Sequence, residues 1–100
     1  MFRASDEELE ERLIHIAYEH KNDHVGAGGY PTSAADLARV FPPEAEVDAY
    51  RVRMALTRLH REGRLYIQIP SGQSLIELPD NRNARMFDHI RLFTRKPSQD

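Results

Sequence analysis

Five arginines fall within RVRMALTRLHREGRLYIQIP, the twenty residues from 51 to 70. The guanidinium is a planar fork that can grip guanine O6 and N7, or two phosphate oxygens, at once. Thr57, set among them, can touch a base edge or a thymine methyl. Recognition of a duplex is therefore the first chemistry these residue types offer. A second uses the same stretch, because Tyr, Met and Arg are enriched in protein interfaces and Tyr50 lies close to Met54.

Other reactive side chains offer less. His20 and His24 have helical i, i+4 spacing, but His15 lies on the other side of the helix and no third ligand is in view. His20 reads as a half-buried histidine of the apolar face, and His60 and His89 read as solvated helix residues. The GAGG at 26–29 lacks the Lys-Ser/Thr of a phosphate loop and the spacing of a dinucleotide fingerprint. The chain has no cysteine, which removes disulfides, thiolate zinc sites and a cysteine nucleophile. No Ser-His-Asp set stands out. The expectation is a protein that is not an enzyme and has no metal and no cofactor.

Positioning the arginines requires a scaffold, and the periodicity supplies one. Ser5 and Glu8 fit a capping box, and Asp6, Glu7 and Glu8 suit a first helical turn. Leu9, Leu13, Ile16, Ala17 and His20 share a face, so a first helix is expected over about 6–21. HVGAGGYP reads as a loop. A second helix, over about 33–41, starts at Thr32 or Ser33 and must end before Pro42-Pro43. A third, over about 46–62, places Ala49, Val52, Leu56 and Leu59 on one face with Ala55 on its flank. Its opposite arc holds Tyr50, Met54, Thr57 and Arg61, with Arg53 and Arg58 on the two edges and Arg51 beside Arg58. Gly63 suits the left-handed residue after the helix.

Beyond Gly63 the pattern alternates. Residues 64–69 read as a strand, Pro70–Gln73 as a turn and 74–78 as a return strand. A fourth helix is expected over about 83–94, its apolar stripe made of Met86, Phe87, Ile90 and Phe93.

Charge divides along the chain. Residues 1–48 hold eleven acids and four bases, a net of −7, whereas residues 49–100 hold five acids and ten bases, a net of +5. Such asymmetry points to an anionic partner. It also fits an acidic helix and a basic helix that neutralise each other within the fold. One hundred residues suit a single domain. No apolar run reaches the length of about 18 residues that a membrane helix needs. The opening MFRASDEELEE is acidic and amphipathic, where a secretory signal is basic and then apolar. A soluble cytoplasmic protein with no membrane partner is expected.

LARV at 37–40 and RMALTRLHREGRLYI at 53–67 together resemble the winged helix-turn-helix superfamily. The shared feature is Leu-x-x-Leu-x-x-x-Gly at the end of a recognition helix, here Leu56, Leu59 and Gly63, followed by apolar Leu65 and Ile67. The resemblance covers about residues 9–78. It implies a mainly α fold with a small β-hairpin (α+β): three helices, a two-stranded wing over about 64–78, and here a C-terminal helix. It also implies a small transcriptional regulator that binds double-stranded DNA. The contacts would come from Tyr50, Arg51, Arg53, Met54, Thr57, Arg58 and Arg61, with Arg64 and Gln73 on the wing. The terminal helix, through Met86, Phe87, Ile90 and Phe93, would form a homodimer that addresses two half-sites. Some domains with this fold instead dock proteins within larger complexes, and here Tyr50 and Met54 would carry that contact. In one respect the chain departs from the family. FPPEAEVD makes the link before the third helix longer than compact members use, and it sets Glu44, Glu46 and Asp48 where phosphate would approach.

Overall fold

The first helix, α1 (Asp6–Glu19), begins as its sequence dictates. The Ser5 hydroxyl accepts the Glu8 N–H, and the Glu8 carboxylate accepts the Ser5 N–H, at 3.1 and 2.9 Å. The computed structural model describes residues 3–20, 29–69 and 84–96. Leu9, Leu13, Ile16 and Ala17 are buried along one face of α1, and His20 caps its end.

The segment read as a loop contains a strand, β1 (Tyr30–Thr32). Pro31 sits in it without an N–H to give, which restricts such a strand to a sheet edge. That strand is short, and so is the helix after it, α2 (Ala34–Ala38), capped by Ser33, whose hydroxyl accepts the Asp36 N–H at 3.0 Å. Its expected end at 41 comes early. Val40 and Phe41 donate instead to Leu37 and Ala38, in tightened three-residue turns. The proline that follows disfavours a helical Phe41. A 3₁₀ turn, Pro43–Ala45, then leads to Glu46 in the left-handed region, with φ 55°.

Helix α3 (Ala49–Arg61) starts where the Asp48 carboxylate accepts the Arg51 N–H at 2.8 Å. Val52, Ala55, Leu56 and Leu59 face the core, as their spacing predicts. Gly63 has φ 73°, and beyond it Arg64 and Leu65 both donate to the Leu59 carbonyl, which ends the helix and turns the chain. Strand β2 (Tyr66–Gln68) follows, with Leu65, Ile67 and Ile69 buried.

The C-terminal helix expected over 83–94 is absent among the described residues. A 3₁₀ turn, Ala84–Phe87, leads instead into a strand, β3 (Ile90–Phe93). The three-residue step from Phe87 to Ile90 suggested a helix. Ile90 and Leu92 are buried while Arg91 is exposed, which is strand alternation. The decisive reason is non-local, because β3 pairs antiparallel with both other strands in the order β1-β3-β2. Tyr30 and Ile67 both face Leu92 in the register. The return strand expected over 74–78 lies outside the described residues. The fold is thus α+β, three helices against a small three-stranded antiparallel sheet. Leu9, Leu13, Leu37, Val52, Leu56, Leu59 and Ile90 are fully buried where these layers meet.

Two glycines with positive φ separate two causes of strain. A Cβ at Gly63 would meet nothing within 4 Å, whereas one at Gly29, with φ 66°, would stand 2.7 Å from the Phe93 ring. In urea denaturation, Gly63→Ala is expected to cost about 1–2 kcal/mol, the penalty of a left-handed L-residue. Gly29→Ala is expected to cost more, because a ring must move as well. Equal costs would mean that Phe93 yields freely.

Candidate functional site

The outer side of α3 carries the candidate contact residues, and α1 takes several of them. Arg51 Nη1 donates to the carbonyls of Ala45 and Glu46 at 3.4 and 3.2 Å. Its Nη2 donates to the Ala4 carbonyl at 2.7 Å and to Asp6 Oδ1 at 3.0 Å. Only 10% of this side chain is exposed. Arg58 Nε donates to Glu10 Oε2 at 2.7 Å, and Arg58 Nη2 lies 3.9 Å from Asp6. Arg64 Nη1 stands 3.5 Å from Glu10 and 3.6 Å from Glu62. Glu10, its side chain 12% exposed, therefore sits between two guanidinium groups. Three of the arginines expected to meet a ligand meet carboxylates of their own chain.

Thr57 departs from expectation in another way. It is 4% exposed, and its hydroxyl donates back to the Arg53 carbonyl at 2.8 Å. The helical wheel sets this residue on the outer arc, but it is buried, and the bond to its own helix satisfies the hydroxyl there. Four of the expected residues remain on the outer side. Tyr50 is 45% exposed, Met54 and Arg53 are half-buried, and Arg61 is exposed. The Arg53 guanidinium lies over the Tyr50 ring, 5.5 Å from its centroid, within cation–π range. Among the described residues, Arg53 Nε is buried without a hydrogen-bond partner. Gln73 lies outside the described residues.

The side chains expected to form a dimer interface are committed elsewhere. Phe87 and Ile90 are 5% and 2% exposed and belong to the core, and Met86 packs against it. Phe93 stands edge-on to Tyr66 at 5.9 Å and covers Gly29. With a strand where the terminal helix was expected, no apolar helical stripe is left there among the described residues. His20 stacks on Tyr30, 4.0 Å between ring centroids, while its expected neighbour His24 lies outside the described residues. His89 is exposed, but His60, read as solvated, is half-buried and accepts the Ile67 N–H.

Sequence reasoning missed Asp6 and Glu10 as partners of the arginines. Their signal was present in the opposite charges of the two halves and in the i, i+4 spacing that sets both acids on one face of α1. What it could not supply was the crossing of α1 over α3. No family model, curated protein or solved structure matches the chain. Among the described residues no helix is long and apolar enough to cross a membrane.

Two carboxyls register this arrangement electrostatically. The Arg51 hydrogen bond, with Arg58 nearby, holds Asp6 below the usual aspartate range against a smaller opposing effect of burial. The Ser5 backbone N–H holds Glu8 low in the same direction. Both groups are lower in the folded than in the unfolded chain, so their stabilisation is present above about pH 4 and is lost as pH falls through the folded values. Urea midpoints measured between pH 7 and pH 3 should therefore drop on the acid side. Asp6→Asn should flatten that drop; an acid limb as steep as the wild type's would show that the Asp6–Arg51 contact contributes nothing.

Proposed function

We propose that this chain is a winged-helix domain that docks a protein through the outer face of α3, with Tyr50, Met54 and Arg53 at the centre of the contact. The α2–α3 pair, the turn at Gly63 and the antiparallel pairing of β2 with β3 support the winged-helix reading. One observation carries the choice of protein over DNA. Arg51, Arg58 and Arg64, which a phosphate backbone would need, are bound to Asp6, Glu10 and backbone carbonyls. Releasing them for a duplex would take these donors from the mostly buried Glu10 carboxylate and the part-buried Ala4 carbonyl, at a cost of about 1–3 kcal/mol for each.

The remaining surface has the composition of an interface centre. Tyr50 presents a ring with one polar end, Met54 an adaptable apolar side chain and Arg53 a cation stacked on the ring. Glu44, Glu46 and Asp48 are exposed around the start of α3 and oppose phosphate there. DNA binding is the rival reading, and it would rest on Arg53 and Arg61 with help from the wing.

The test sets two probes against one immobilised protein. Peptides selected from a displayed random library are expected to share one site, to weaken about 30-fold with Tyr50→Ala, and to weaken clearly with Met54→Ala. Arg64→Ala should change them less than threefold, as a rim charge does. A labelled mixed-sequence duplex, followed by fluorescence anisotropy across a salt series, is expected to show no appreciable binding. Five phosphate contacts would instead give a log–log slope near about −4.5. A steep slope abolished by replacing Arg53 and Arg61, with no peptide enriched, would overturn the docking reading in favour of DNA.

A further inference from the structure

The joint between α3 and the sheet rests on a histidine. In the order β1-β3-β2, strand β2 has β3 on one side and packs against α3. The Ile67 N–H is not part of the ladder, because it donates to His60 Nδ1 in the last turn of α3, at 3.2 Å. That bond requires Nδ1 to be a bare lone pair, with the ring proton on Nε2. The His60 ring also lies 5.2 Å from the Tyr66 ring, which meets Phe93 edge-on, and Phe93 covers Gly29 at the head of β1. One row of rings therefore links the end of α3 to all three strands.

Few charges reach this histidine. Tyr66 is the titratable group that faces it from β2, and β3 contributes Phe93 behind that ring. On its own side Arg61 and Glu62 are exposed and Arg64 is drawn toward Glu10 and Glu62. Arg85, in the 3₁₀ turn that also packs on α3, is exposed. Among the described residues no carboxylate pairs with His60, and burial holds its pKa below 6.5. The fold thus favours the neutral ring that the Ile67 bond requires.

We propose that His60 is a proton-operated latch: neutral, it fastens β2 to α3 through the Ile67 N–H, and protonated, it opposes that donor with another and releases the strand's outer edge. The latch does not depend on what α3 docks, so it stands or falls separately from the docking reading. Its sign follows from the depressed value. Its contribution is complete above about pH 6.5, the unfolded value, and disappears as pH falls through the lower folded one.

Nitrogen-15 spectra of the full chain between pH 8 and pH 5 would follow the His60 ring together with the exchange of individual amides. The ring is expected to titrate below pH 6.5. Over the same interval the Ile67 amide should lose about tenfold in protection relative to its intrinsic exchange rate, the weight of one hydrogen bond to a half-buried donor. Leu92, held in the central strand, should keep its protection. His60→Asn, which offers an acceptor that does not titrate, should hold Ile67 protection level across the range. Ile67 protection that is unchanged through the His60 titration in the wild type, or that falls equally in His60→Asn, would overturn the latch. The wild-type titration decides the matter even if that variant is too unstable to study.

Discussion

Arg51 fixes three stretches of chain with one planar group. Its two terminal nitrogens take the carbonyls of Ala4, Ala45 and Glu46 and the carboxylate of Asp6. The start of α1, the turn before α3 and the first turn of α3 itself are thereby held in one geometry. A lysine could supply the charge but not four acceptors in a fixed fork. The left-handed Glu46 belongs to the same arrangement, since its carbonyl is one of the acceptors. Once Arg51 is placed, the rotation of α3 about its own axis is set, and so is the arc it shows to the outside.

That arc follows from how the circumference of α3 is shared. Val52, Ala55, Leu56 and Leu59 take the core side, and Arg58 with Arg51 takes the side toward α1. Thr57 is buried and His60 holds β2, so Tyr50, Met54, Arg53 and Arg61 are what is left. Part of the divided charge of the chain is therefore neutralised within the fold. Asp6 and Glu10 of α1 meet Arg51, Arg58 and Arg64 across a helix crossing, while Glu7, Glu8 and Glu11 address solvent. A basic recognition surface and a basic buttress have the same composition, and only the position of the opposing carboxylates tells them apart.

Local signals in the sequence proved readable where a few neighbouring residues decide the outcome. The capping box at Ser5, the cap at Ser33, the core stripe of α3 and the left-handed Gly63 all depend on residues within one or two turns. Features decided by distant partners were not readable. Tyr30–Thr32 looked like loop because it is three residues long and contains a proline, and it is a strand only because β3 lies beside it. Ile90–Phe93 carried apolar spacing that suits a helix until two strands flank it. The site divides in the same way. Tyr50, Met54 and Arg61 could be placed outward from periodicity alone, while the fates of Arg51, Arg58 and Arg64 were set by Asp6 and Glu10, more than forty positions away.

The strand order also has a kinetic side. The middle strand, β3, comes last in sequence, and it must find Tyr30 on one side and Tyr66 on the other. Helices α2 and α3 can pack on contacts that are near in sequence. The sheet can close only after a loop reaching back most of the length of the chain has formed, which is the slow kind of search. During synthesis from the N-terminus, Ile67 stays without Leu92 until Ile90–Phe93 has been made, so mispairing threatens most in the interval between the two strands.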